Sequence, residues 1–345
     1  MVYLDMVNTF KKELKLSREL NILITWYLSS KSSKIDLEGD VVSKSIAEMI
    51  SKKFKKTLYS RQNKKIKKIT IKKINFSHYK DDKYKKKLVH INTQINNLKK
   101  YLKDFLIHGS FATLDYSRGW SDLDTLLIIK NDTMLSPKKL IELRKQTLIL
   151  EKNLYEIDKL QHHGFIYCTE SDFKFYQSFL IPIESIILSK SLFKTSIDTI
   201  YYFRDKTYWK KKFNDIHKLL EVSYKTKVFK HHGIKNRYLL ENFKDKNTMY
   251  QLKYFLSLLM ILPCYYLECI GEPTYKKYSY NKVKKYFLDD WSIIEKATKI
   301  RSLWSKKNIN IKNNKIPKWI VKSLGKNYFK KSFMLIRRMS KELKK

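Results

Sequence analysis

Phe105-Leu106-Ile107-His108-Gly109-Ser110 and, after eleven intervening residues, Asp122-Leu123-Asp124-Thr125-Leu126-Leu127-Ile128-Ile129 make up the stretch that decides how this chain folds. A short apolar run ends in a Gly-Ser turn. Two carboxylates one residue apart then open a second apolar run. In a strand, residues i and i+2 share a face, so Asp122 and Asp124 project side by side. Glycine lets the backbone bend tightly just before them. Like charges held that close oppose each other's ionisation unless a cation neutralises them, and a shared divalent metal is the simplest resolution. A solvated loop gives no reason for charges to stand at the mouth of so apolar a run.

This constellation resembles the nucleotidyltransferase superfamily with the DNA-polymerase-beta-type palm. The family pattern is an apolar residue, Gly, then Gly or Ser, an interval of this length, and Asp, apolar, Asp or Glu, apolar. Gly109-Ser110 and Asp122-Leu123-Asp124 fill its slots. The tail from Asp122 to Ile129 is similar to the smaller stand-alone members, which move a nucleoside monophosphate onto a small molecule, a protein or an RNA end. The resemblance implies an α+β fold: a small mixed-sheet palm at 88–180, flanked by a mostly helical N-terminal region at 1–87 and a helical substrate domain at 181–345.

What the resemblance implies for the site follows residue by residue. Gly109 and Ser110 hold the phosphates of a nucleoside triphosphate through backbone N–H groups and the hydroxyl. Asp122 and Asp124 hold Mg²⁺ or Mn²⁺, which oxygen ligands favour over zinc. A third carboxylate is expected from a neighbouring strand, and Asp158 in Tyr155-Glu156-Ile157-Asp158 is chosen over Glu156. In Gln161-His162-His163-Gly164, His163 is the candidate base or metal ligand, since neighbours in a strand face opposite ways and histidine titrates near neutral pH. Arg118, in Asp115-Tyr116-Ser117-Arg118-Gly119-Trp120, is a candidate phosphate clamp, and Trp120 a candidate base-stacking or pocket-wall residue. Outside the family pattern, Lys276 and Lys277 after the long helix are further candidates to reach the triphosphate or acceptor.

Lysine and arginine outnumber acids 73 to 33 over 345 residues, a net charge of +40. That balance suits a polyanionic partner through counterion release. Only nine of the cations are Arg, the residue for bidentate phosphate and base recognition. Abundant Lys, Ile, Asn, Tyr and Phe also fit an AT-rich coding sequence. The three cysteines, Cys168, Cys264 and Cys269, have neither zinc-finger spacing nor an even count, so a reducing cytoplasm is expected. Charges within the apolar pattern from Met1 to Thr25 argue against a signal peptide. Tyr254 to Leu267 is uncharged but shorter than the roughly 20 residues a spanning helix needs; a buried core helix is expected, and no transmembrane segment.

Apolar positions at helical spacing predict one or two helices over 3–28 and another from Leu37 to Leu58. Lys52 to Lys73 carries eleven Lys or Arg and no acid, either as a contact for RNA or as a solvated linker, with Ile66, Ile69 and Ile71 suggesting a strand. A helix is expected from Leu88 to Lys103. Another opens at Ser136-Pro137 and runs to about Asn153, followed by short runs at Leu154 to Ile157 and Gly164 to Cys168. From Ser171 onward the pattern turns helical: Asp172 to Phe179, Ile183 to Ser189, Lys206 to Ser223, Lys246 to Ile270 with Gly271 as the stop, Asn281 to Phe287, Ser292 to Leu303 and Lys315 to Lys344.

The function expected is Mg²⁺-dependent transfer of a nucleoside monophosphate from an NTP to a hydroxyl acceptor, a small molecule or an RNA end. The alternative is a basic nucleic-acid-binding protein with a non-catalytic palm. Aromatic abundance is compatible with a homodimer.

Overall fold

The computed structural model describes residues 65–67, 69–134, 136–157, 164–170, 173, 175–177, 181–193, 200–203, 206–226, 228–230, 239–241, 248–307, 316–325 and 327–344. The helices expected over 3–28 and 37–58, and most of the basic stretch, lie outside these residues. The chain divides into two compact units. The first takes the residues up to Asp115 with Asp122–Gln177 and Ile186–Phe203. The second takes Tyr116–Ser121, Ser178–Ser185 and everything from Arg204 onward. The architecture is mixed α+β.

In the first unit, strands β1 (Lys65–Lys67) and β2 (Lys72–Lys73) precede helix α1 (Asp82–Gln94). Asp81 caps α1, its side chain accepting from the N–H groups of Lys83 and Tyr84. The helix starts earlier than the expected Leu88, and a 3₁₀ segment, Ile95–Lys100, leads into β3 (Leu102–Ile107). One turn of helix, α2 (Gly109–Ala112), follows, and then β4 (Thr125–Ile129). A turn, α3 (Asn131–Met134), leads to the long α4 (Pro137–Ile157), where Ser136 Oγ accepts from Lys139 N at 3.4 Å, as its capping role predicts. Next come β5 (Ile166–Thr169) and β6 (Phe175–Gln177). A short helix, α5 (Ile183–Ile187), spans the division between the units. Beyond it lie β7 (Lys190–Ser191) and β8 (Ile200–Phe203).

Five strands form one mixed sheet in the order β2-β7-β3-β4-β5. β3 runs antiparallel to β4 and β7, while β4 pairs parallel with β5. Every residue of β4 is buried. That is why its sequence is a continuous apolar run rather than an alternating one: both sheet faces are covered. Phe105 and Phe165 meet edge to face at 5.6 Å within this core. A second sheet, β1-β8-β6, completes the unit.

Two expectations are corrected here. Leu154 to Ile157 is the last turn of α4, not a strand. Leu154 and Ile157 extend the buried stripe Leu140, Leu143, Thr147, Leu150 at helical spacing, and burying one more turn of that stripe wins over a short strand. Phe175–Gln177, expected within a helix, is a strand paired in parallel with β8; partners distant in sequence decide such short segments.

The second unit contains α6 (Lys206–Thr226), the hairpin strands β9 (Val228–Lys230) and β10 (Leu239–Glu241), and α7 (Thr248–Ile270). Then follow α8 (Lys276–Lys284), α9 (Ser292–Trp304), α10 (Lys318–Leu324) and α11 (Tyr328–Glu342). Helix α7 packs against α6, α8, α9 and α11. It is long and apolar enough to cross a membrane by length and composition, yet 72% of its Leu252–Ile270 window is buried inside the protein. It ends as expected at Gly271, whose φ of +94° suits the left-handed C′ position. The single helix expected from Lys315 to Lys344 is broken at Gly325 and Asn327, both at positive φ.

Candidate active site

The first half of the site is the bend between β3 and α2. His108 is the last extended residue, and its N–H donates to the carbonyl of Asp124 at 3.0 Å. Gly109 then takes φ +66°, a conformation that costs an L-residue with a side chain roughly 1–2 kcal/mol. The turn is closed by Thr113, whose N–H and hydroxyl both donate to the Gly109 carbonyl, at 3.2 and 3.1 Å. Thr113 also donates to the Asp115 carboxylate, and Asp115 N–H returns to the Ser110 carbonyl at 3.0 Å. Beneath, Tyr79 donates its phenol to the Phe111 carbonyl at 2.8 Å. Ser110 itself stays half-exposed.

The second half is the approach to β4. The strand proper starts at Thr125, the residue paired with Ile107 at the end of β3. Burial nevertheless alternates through the approach. Ser121, Leu123 and Thr125 are buried, while Asp122 and Asp124 are half-exposed. The two acids are thus the more open residues of this approach.

The bend and the acids meet. A Cβ on residue 109 would collide with the Asp124 carboxylate and lie 3.2 Å from Asp124 Cβ. The missing side chain at Gly109 is thus the space in which the Asp124 side chain stands. Gly109 and Asp124 come together as the sequence suggested.

Other candidates fall differently. Asp158 and His163 lie outside the described residues. Arg118 is exposed and sits in the second unit, on the loop 116–121. Trp120, read as a base-stacking or pocket-wall residue, is buried instead. Its ring packs edge to face on Trp304 at 4.7 Å. Among the described residues no group of three or more His, Cys, Asp or Glu side chains is arranged to hold a metal. The donors available are the oxygen atoms of Asp122 and Asp124, a set that suits Mg²⁺ or Mn²⁺.

Two acids near this sheet were not singled out by sequence. Asp104, fully buried in β3, accepts from Phe105 N at 2.7 Å and from Ser191 Oγ at 2.8 Å. It pairs opposite Ile128, four positions past Asp124, and so stands about 13 Å along the strand from the pair. It stitches β7 to β3 rather than joining the site. Glu151 of α4 fills the space beside Gly164 and accepts from Phe165 N at 3.3 Å, which secures the start of β5.

Two lysines do reach the neighbourhood of the bend. Lys190 of β7 lies directly across from Ile107, and Lys72 of β2 lies across from Lys190. Among the described residues neither makes an ion pair. Burial and the adjacent Lys72 charge hold the Lys190 ammonium pKa below the ordinary lysine value. Nothing local marks them in so lysine-rich a sequence, since only long-range register brings them together.

Comparison with protein-family models, with curated proteins and with solved structures returned no match.

Proposed function

We propose that this chain is a Mg²⁺-dependent nucleotidyltransferase that moves a nucleoside monophosphate from an NTP to a hydroxyl acceptor and releases pyrophosphate. The observation that carries this reading is the seating of the Asp124 carboxylate in the side-chain space of Gly109, with a half-exposed Asp122 two residues before it. A site for phosphoryl transfer needs a bend that polyphosphate can approach closely and acids at its edge. What supports the reading here is a glycine bend with the Asp124 carboxylate set against it.

The roles divide as follows. Asp122 and Asp124 would hold the metal. Bound there, Mg²⁺ neutralises phosphate charge and makes the acceptor hydroxyl more acidic. Gly109 makes room for the Asp124 carboxylate beside the bend, and the half-exposed Ser110 hydroxyl would donate to the triphosphate oxygens. Lys190 and Lys72 add positive charge at the same end of the sheet. The acceptor oxygen forms a bond to the α-phosphorus as the bond from that phosphorus to the bridging oxygen breaks. Pyrophosphate leaves, and the acceptor proton passes to a base or to water. Outside the described residues, Asp158 and His163 remain the candidates for third carboxylate and base.

The test is release of pyrophosphate by purified protein given Mg²⁺, each NTP in turn and a cell extract as acceptor source. Mass spectrometry then searches for a product heavier by one nucleotidyl group. Asp122→Asn and Asp124→Asn should each abolish both signals. Signals that persist unchanged in both variants would overturn the reading.

A further inference from the structure

In the second unit, α8 and the turn after it combine two features that rarely coincide by accident. The first is charge. Lys276, Lys277, Lys282, Lys284 and Lys285 fall within thirteen residues, 276–288, that contain no acid. Lysines alone would decide nothing in a chain of net charge +40. The second feature is exposed aromatic surface, which that charge does not explain. Tyr278 is 56% exposed, Tyr286 44% and Leu288 63%. The exposed large apolar side chains among the described residues include two aromatic rings, and both are here.

These rings are braced, not loose. Tyr278 meets the buried Tyr275 at 6.1 Å. Tyr286 is backed by the buried Tyr266 at 6.4 Å and Phe287 at 6.5 Å. Lys285 Nζ stands 4.9 Å from the centre of the Tyr286 ring. Of the lysines, Lys284 is paired with Glu295 at 2.8 Å and Lys282 donates to Thr274 Oγ1 at 3.1 Å. Lys277 and Lys285 are exposed. Only Ser279 and Val283 of α8 are buried, so the helix turns most of its surface outward.

We infer that this surface binds a single-stranded nucleic acid. Braced rings offer flat faces to unpaired bases, and the lysines beside them track the phosphates. A duplex keeps its bases stacked on one another and offers such rings nothing but phosphate. Tyr278 lies on α8 and Tyr286 in the turn just past its end, eight residues further on. The inference concerns the second unit by itself and does not rest on the proposed transferase reading.

The experiment is fluorescence anisotropy of a labelled single strand of about 16 nucleotides, in RNA and DNA forms, across a salt series without Mg²⁺ or NTP. A duplex of equal length serves as comparison. Tyr278→Ala with Tyr286→Ala should weaken single-strand binding about tenfold or more while leaving the salt slope unchanged. The corresponding Phe pair should bind like the parent, which separates stacking from folding. Lys277→Gln with Lys285→Gln should reduce the slope of log affinity on log salt by about 1.4. The same change at Lys138 and Lys145, exposed on α4, should cost less than the α8 pair. The inference is overturned if the Ala pair binds like the parent, if the α4 control costs as much as the α8 pair, or if duplex and single strand lose equally in the Ala pair. Asp122→Asn should leave binding intact. Failure of pyrophosphate release with binding retained would sink the transferase reading and not this one.

Discussion

Asp124 sets its carboxylate into the space that a side chain on residue 109 would occupy, with the Cβ position of 109 only 3.0 Å from Asp124 Cγ. A glycine is required there twice over, by its φ of +66° and by its neighbour. Gly109→Ala should therefore lower stability by about 1–3 kcal/mol in urea denaturation and abolish pyrophosphate release. Adding Asp124→Gly to it removes the collision but not the backbone strain. The double variant should regain part of the stability and none of the activity. Restored activity would show that the acid has no part in the chemistry.

Lys190 and Lys72 hold like charges side by side at the end of the sheet where the Gly109 bend lies. Cross-strand partners share a face, so Lys190 lies on the Ile107 side and would reach phosphates around the sheet's end. Without an anion the pair is unfavourable; with a triphosphate nearby it is a gain. Lys190→Met should leave the melting temperature unchanged or higher. It should raise KM for the NTP several-fold with a smaller change in kcat. A fall in kcat at constant KM would remove Lys190 from ground-state phosphate binding.

Trp304 fixes the loop 116–121 inside the second unit. Its Nε1 donates to the Gly119 carbonyl at 2.9 Å, its ring packs on Trp120, and Ser117 Oγ donates to the Arg301 carbonyl at 2.9 Å. Trp304→Phe keeps a ring and loses one hydrogen bond, worth about 1 kcal/mol. Trp304→Ala also empties a fully buried site and should cost about 3–5 kcal/mol. Denaturation followed by tryptophan fluorescence measures both. Equal losses in the two variants would show that packing contributes little.

Parts of both units were legible because their strongest signals are local. The bend at Gly109, the apolar β4, the cap at Ser136 and the stop at Gly271 each depend on a few consecutive residues. What escaped depends on distant partners. β2 and β7 have two residues each, too few to show a period of two; β7 adds to the edge of β3 and β2 to the edge of β7. The Lys72–Lys190 pair and the Asp104–Ser191 stitch follow from that register and have no local trace. Leu154 to Ile157 misled because three apolar or half-apolar residues around Glu156 read equally well as a strand or as one more helical turn. Trp120 looked like a ligand-facing ring because its loop is polar, and its partner lies 184 positions away at Trp304.

His217 on α6 stacks on Phe333 of α11, ring centres 6.0 Å apart. Its Nε2 is enclosed and accepts or donates no hydrogen bond among the described residues. Burial depresses its pKa below the ordinary histidine value, with Lys344 and Arg337 adding to the effect and Glu221 opposing it. A depressed histidine pKa means that the fold prefers the neutral ring, so the unfolded chain takes up its proton first as pH falls. This contribution to stability is complete above the ordinary value of 6.5. It declines as pH drops from there toward the lowered folded pKa, and levels off beneath it. His217→Phe keeps the stack and removes the titration. Its melting temperature should change less than the parent's between pH 7 and about pH 5. Parallel curves for the two proteins would show that His217 does not couple protonation to the packing of α6 on α11.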